Sequence, residues 1–195
     1  MPYKDKEKQK EAQHKHYLAN KDKFKQRLVE RRTASKQHVD FIKQQLMCSI
    51  CGCNNPKCLD FHHTNNKKDS IANLRRAGTS KQTINNEMAK CVVLCGNCHC
   101  KHHNKTIAED GSTWKNFNNA RILKRRWFIE YIKQRQCCKC GENDPRCLSF
   151  HHLRDKSFTI GYMLRSGHSL SRLQEEIDKC IVVCENCHRI IHSKG

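Results

Sequence analysis

Cys48-Ser-Ile-Cys51, Phe61-His62-His63, Lys90-Cys91 and Cys95-Gly-Asn-Cys98-His99 with His103 form one series. They return in the same order and spacing as Cys137-Cys-Lys-Cys140, Phe150-His151-His152, Lys179-Cys180 and Cys184-Glu-Asn-Cys187-His188 with His192. Each member of the second series follows its counterpart by 89 residues. Residues 48–105 match 137–194 without a gap at 25 of 58 positions. A period of this length predicts two small modules built on one plan rather than one large domain.

A module of about 58 residues sits near the size at which an apolar core alone gives marginal stability. With 36% hydrophobic and 7% aromatic residues, each module needs a staple, and fifteen cysteines offer disulfides or metal. The start of the chain, Met1 to Lys10, is Lys-rich with no apolar signal-peptide core, and no stretch reads as a transmembrane span. The expectation is a chain kept in an intracellular, reducing compartment and not secreted, where Cys-x-x-Cys pairs serve metal. A disulfide framework would leave unexplained why histidines accompany the cysteines at fixed spacing.

The formal net charge is +19, from 38 Lys and Arg against 19 Asp and Glu. So one-sided a balance predicts a polyanionic partner, foremost nucleic acid. Membrane-surface binding fits poorly, because the basic segments lack a wide apolar face. The charge is densest in a basic helical arm with a lead-in helix, residues 1–47, at Lys21, Lys23, Lys25, Arg27, Arg31 and Arg32. Val39, Ile42 and Leu46 give its end helical apolar spacing. Residues 106–136 read as a polar linker, with Gly111-Ser-Thr, and a second lead-in helix, since Tyr131-Ile-Lys-Gln134 echoes Phe41-Ile-Lys-Gln44. The stripe Leu123, Trp127 and Tyr131 on that helix reads as core in preference to a base-stacking platform.

Within the modules, 48–105 and 137–195, a short strand delivers each His-His pair: Leu59 to Phe61, then Leu148 to Phe150. A polar loop and a weak helix follow (Ser80 to Ala89, Ser169 to Asp178). Cys91 to Cys95 and Cys180 to Cys184, apolar and β-branched, form the second strand. A closing helix from Asn97 or Asn186 places His99 with His103, and His188 with His192, four apart on one face. The fold class is α+β: two tandem ββα modules joined by helices.

Two Cys-x-x-Cys pairs per module supply four thiolates for a tetrahedral structural Zn2+: Cys48, Cys51, Cys95 and Cys98, then Cys137, Cys140, Cys184 and Cys187. Cys58, Cys147, Cys91 and Cys180 recur as well and read as small core residues, with an alternative ligand role open. The recurring histidines go beyond a staple. They suit a second, open site that leaves coordination positions for water or phosphate. A neutral imidazole can also take a proton from water near neutral pH. Three imidazoles suit Mn2+, Ni2+ or Zn2+ better than Mg2+, and the divalent catalytic ion stays open among these four.

Both modules resemble HNH endonucleases of the ββα-metal type in their zinc-stapled form, with CxxC, strand, HH, strand, CxxCH and a later His. The resemblance spans nearly all of 48–105 and 137–195. It implies that His63 and His152 are general bases. It also implies that His62, His99 and His103, with His151, His188 and His192, hold the catalytic ion. The Asn that such enzymes carry five residues before the third Cys is replaced by Lys90 and Lys179. The implied activity is hydrolysis of phosphodiesters in double-stranded DNA, by a monomer whose two modules make a pseudo-dimer. Arg76 and Arg165 are candidate phosphate contacts. Genes of this kind are common in phages and mobile elements, which would put the protein in a host cytoplasm. The alternative is a non-catalytic zinc protein that binds DNA or RNA, for instance within a ribonucleoprotein.

Overall fold

The computed structural model of the protein describes residues 6–103 and 119–193. The polar linker expected around Gly111 therefore lies outside the described residues. So do the ends of the arm and of both modules. The described chain is α+β, with two two-stranded sheets, β1 with β2 and β3 with β4.

The elements repeat as the sequence does. Helix α1 (Lys6–Gln44) is followed by β1 (Leu59–His63), α2 (Ile71–Ala77), α3 (Lys81–Met88), β2 (Cys91–Cys95) and α4 (Gly96–His103). Then come α5 (Asn119–Lys133), a 3-10 turn (Pro145–Cys147), β3 (Leu148–His152), α6 (Ile160–Arg165), α7 (Leu170–Ile177), β4 (Cys180–Cys184) and α8 (Glu185–His192). β3 and β4 run antiparallel, with Leu148 opposite Cys184 and His152 opposite Cys180. The arm is one continuous helix of 39 residues, not a helix and a separate lead-in. The expected polar loops each contain a further short helix, α2 or α6. Ser70 and Thr159 cap these helices, their side chains accepting from Asn73 N and Tyr162 N.

The chain gathers into two compact units, Met1–Gln45 with His63–Val92, and Leu46–His62 with Val93–Gly195. In the first unit Val39, Ile71 and Ile84 are buried. α1 is fixed to the end of α2 by polar bonds, with Arg31 Nε donating to Gly78 O and Ser35 Oγ to Thr79 O. Gly78 has φ +67 as the left-handed cap of α2, and a Cβ there would lie 3.0 Å from that of Arg31. Glycine satisfies both the backbone sign and the close approach.

In the second unit, Cys48, Cys58, Leu59, Leu94, Cys95 and Cys98 form one core, with Ile190 packed against it. Cys137, Val183 and Cys184 form its counterpart. A third cluster of Ile160, Met163, Leu173 and Ile177 takes Trp127 and Tyr131 from α5. Two of the three stripe residues thus join the core as expected, whereas Leu123 is exposed. Lys124 is buried and donates to the carbonyls of Met163, Ser166 and His168, each at 2.8 Å. His168 lies 89 residues after Thr79, so α1 and α5 anchor on the same carbonyl of the repeat.

Also within this unit, α4 and α8 meet near their N-termini. Lys101 donates to Glu142, and Arg189 to Asp60 and Cys58 O. A Cβ on Gly96 would come within 2.8 Å of Glu185 Cγ, so a side chain at residue 96 would require the side chains of α8 to shift.

Candidate metal centres and the histidines beside them

None of the fifteen cysteines is joined in a disulfide. The two expected quartets are assembled, with the four sulfurs of each lying within 4.8 Å of one another. Cys51 Sγ and Cys95 Sγ are 3.6 Å apart, as are Cys140 Sγ and Cys184 Sγ. A tetrahedral ion with metal–sulfur bonds of about 2.3 Å sets its sulfurs roughly 3.8 Å apart, so the donor sets fit such an ion. Each quartet joins a strand end, a helix start and a Cys-x-x-Cys-Gly turn whose glycine has positive φ (Gly52 +70, Gly141 +76).

Backbone amides point at the sulfurs: Cys98 N at Cys95 Sγ (3.5 Å), Cys187 N at Cys184 Sγ (3.4 Å) and Lys139 N at Cys137 Sγ (3.4 Å). Such donors favour thiolate. Burial would raise the Cys48 and Cys137 thiols, but backbone hydrogen bonds outweigh it and lower them to about 6 and about 7. Cys58 and Cys147 are buried outside the quartets, and burial lifts both to about 12. That is the behaviour of core thiols, whereas Cys91 and Cys180 are half-buried, their sulfurs donating to Glu87 O and Glu176 O.

The imidazoles also converge. In the second copy His151, His188 and His192 form a group within 4.8 Å, with His188 Nε2 and His192 Nε2 3.2 Å apart. Burial, then the neighbouring imidazoles, lower the pKa of His151 and of His188, which keeps both lone pairs available at neutral pH. In the first copy His99 Nε2 lies 3.1 Å from both His62 Nδ1 and His103 Nε2. Here sequence reasoning missed a member. His102 groups with His62 and His103 within 4.8 Å, its ring centroid 4.4 Å from that of His62.

The second member of each strand pair has a different partner. His63 Nε2 lies 3.0 Å from Glu87 Oε1, and His152 Nε2 3.0 Å from Glu176 Oε1. Both carboxylates are buried and well supplied with donors. Glu87 takes Lys90 Nζ at 2.6 Å and Lys68 N at 2.8 Å, and Lys90 first, then Lys68 N, hold its carboxyl at about 2. Burial would raise Glu176, but Lys179, Phe158 N and Ser157 N outweigh it, again to about 2. An ionised carboxylate can only accept, so the ring donates from Nε2, and in the neutral imidazole this leaves the lone pair on Nδ1.

Lys90 and Lys179 act beyond the carboxylate. Their ammonium groups also donate to Asn66 O and Asp155 O, in the loops after the His-His pairs. Asn66 and Asp155 hold positive φ, +37 and +41, which their short polar side chains tolerate. A Glu–Lys pair thus ties this loop to the helix in both copies. Asn97 and Asn186 instead bond to each other.

Of the expected phosphate contacts, Lys21, Lys23, Lys25, Arg27, Arg31 and Arg32 are exposed along α1. Arg76 and Arg165 are exposed on α2 and α6, though Arg76 bonds within its own helix to Ala72 O and Asn73. In the second copy a cleft of about 710 Å3 is lined by His151, His152, His188 and His192 together with Arg154 and Lys156. Imidazoles and cations thus face one concave space large enough for a nucleotide-sized group. Among the described residues no helix is long and apolar enough to cross a membrane. Comparison with protein-family models, with curated proteins and with solved structures finds no match.

Proposed function

We propose that the chain is a metal-dependent endonuclease of the HNH type with two sites, one per copy, each module stapled by a zinc-loaded thiolate quartet. The observation that carries this reading is the repeated histidine–carboxylate pair, His63–Glu87 and His152–Glu176, each histidine next in sequence to a member of an imidazole cluster. A staple would need neither the pair nor the cluster. Both are what water activation beside a phosphate requires.

In the second copy, His151, His188 and His192 would hold the divalent ion. When bound, such an ion would supply Lewis-acid polarisation of a phosphoryl oxygen and stabilisation of charge on the leaving 3′ oxygen. Arg154 and Lys156 receive the phosphodiester in the cleft. His152 Nδ1 takes a proton from a water as its oxygen forms the new bond to phosphorus. The bond to the 3′ oxygen breaks in line, and solvent returns a proton to that oxygen. Glu176 holds the imidazole in the tautomer that accepts, and stabilises the imidazolium that forms. His63 and Glu87 form the matching pair in the first copy.

The exposed basic arm would supply sequence-independent affinity through phosphates, and two sites on one chain allow both strands of a duplex to be cut. That arm equally suits a non-catalytic nucleic-acid-binding zinc protein, and one experiment separates the two. Supercoiled plasmid with Mg2+, Mn2+, Ni2+ or Zn2+ is nicked or linearised by the native chain. His63→Ala and His152→Ala each leave residual cleavage, and the double variant abolishes it. No cleavage with any of these ions, or full activity in the double variant, leaves only the binding protein.

A further inference from the structure

The two imidazole clusters differ at one repeat position. His102 stands in the first copy where Ile191 stands in the second. Ile191 packs against the core of Cys137, Val183 and Cys184, whereas His102 is exposed and turns its ring toward His62. On α4, His99, His102 and His103 stand at i, i+3 and i+4, one helix face, with His62 opposite from β1. An ion with metal–nitrogen bonds of about 2.05 Å sets tetrahedral nitrogens roughly 3.3 Å apart. The two 3.1 Å contacts of His99 Nε2 lie close to that edge, and His102 groups with the same His62 and His103 within 4.8 Å, though not with His99 itself.

A second difference points the same way. His99 Nδ1 faces Asp60 Oδ2 at 3.3 Å, and that carboxylate is fixed by Arg189 at 2.7 Å. In the second copy the matching His188 Nδ1 meets a hydroxyl instead, Ser149 Oγ at 3.0 Å. A carboxylate behind a ligating imidazole fixes its tautomer and raises its basicity, typically worth 10–100-fold in metal affinity.

We propose that His102 closes the first cluster into a four-imidazole site for a tetrahedral divalent ion such as Zn2+, while the second cluster, with three imidazoles, stays open to substrate. The first site then binds its ion tightly and serves mainly as a structural lock, and the second carries most of the chemistry. Only that last consequence rests on the nuclease reading.

The test is a Co2+ titration of the full chain with zinc held in the thiolate quartets, followed by visible d–d absorption. Lack of a thiolate charge-transfer band confirms that the quartets keep zinc. The native chain takes up Co2+ in two steps, the tighter giving the intense spectrum of a four-coordinate ion. His102→Ala, at an exposed position, weakens that step at least ~10-fold and shifts its d–d bands toward those of the second step, as water replaces one imidazole. Unchanged affinity and spectrum in His102→Ala overturn the proposal, as does a single class of site in the native chain. In a His152→Ala background, adding His102→Ala raises the residual nicking by the first copy, and a fall there overturns the assignment of the chemistry. If no variant cleaves at all, the nuclease reading fails while the Co2+ spectra still decide on the closed site.

Discussion

Asn97 and Asn186, 89 residues apart, cap each other. Asn97 N donates to Asn186 Oδ1 at 3.3 Å and Asn186 N to Asn97 Oδ1 at 3.0 Å. Each side chain therefore satisfies an amide in the first turn of the other's helix, one of the donors that a helix start leaves without an intrahelical partner. The duplication is expressed here as contact, because a residue and its own copy recognise each other.

Asn97→Ala and Asn186→Ala should each cost about 1 kcal/mol. Because the two bonds share one interface, the double variant should cost less than the two singles added. Urea unfolding of the four proteins in a double-mutant cycle measures the difference, and strict additivity would show that the bonds do not act together. Gly96→Ala should cost more than either single change, since its Cβ meets Glu185 at 2.8 Å.

Much of this was legible in the sequence because it is local. A Cys-x-x-Cys turn and two histidines four apart on a helix fix their own geometry, so both quartets and the second imidazole cluster assemble as read. Two residues escaped for opposite reasons. Glu87 sits on α3, 24 residues from His63, and reads as one more surface charge on a weak helix. Its signal was in the repeat, for Glu87 and Glu176 form the one acidic pair identical in both copies. His102 escaped because it has no counterpart, and comparing copies discards what differs between them. The short helices α2 and α6 carry too little apolar periodicity to be seen, and the caps that start them are visible only as contacts.

The carboxylate pairs should govern the rate without touching substrate. Glu176→Gln removes the charge that holds the His152 tautomer and stabilises its imidazolium, and should lower plasmid nicking by about 10–100-fold. Binding of uncleaved duplex should be unaffected. If binding and cleavage fall together, Glu176 supports the fold rather than the base.

The same pairs make a statement about acid. Folded Glu87 and Glu176 titrate at about 2, below the ordinary 4.5 of the side chain. Their folded pKa is depressed, so the stability they contribute is fully present above about pH 4.5 and is lost as the pH falls toward 2. Carboxyl-carbon NMR titration should show both resonances flat between pH 6 and roughly 4. Lys90→Met, which removes the largest cause of the Glu87 shift, should move that resonance toward the ordinary carboxylate range and bring acid unfolding to higher pH. A Glu87 resonance already titrating near 4.5 in the native chain would contradict the pairing.

Removing the ions should unfold the modules rather than only silence them. Cys48, Cys95 and Cys98 belong to one core, and Cys137 and Cys184 to its copy, so the quartets and the cores are the same atoms. Ion binding in such sites contributes on the order of 10 kcal/mol to folding. A strong chelator should abolish the cooperative thermal transition of the modules, and readdition of Zn2+ should restore it. Cys187→Ser should cost several kcal/mol in the second copy, whereas Cys138→Ser, at an exposed position outside the quartets, should fall within about 0.5 kcal/mol of the native chain.

The arm predicts its own salt dependence. Lys21, Lys23, Lys25 and Arg27 are exposed along α1, whereas Arg31 also holds Gly78 O and so mixes binding with structure. If all four exposed charges sit on phosphates, changing them together to Gln should reduce the slope of log affinity against log salt by up to ~3.6, at about 0.9 per neutralised phosphate of duplex DNA. Fluorescence anisotropy with a labelled duplex between low and physiological salt reads the slope directly. Helix content should stay the same, because Gln is nearly as good a helix former as Lys or Arg and none of the four side chains is buried. An unchanged slope would place the duplex elsewhere and leave the +19 charge of the chain without this arm as its point of contact.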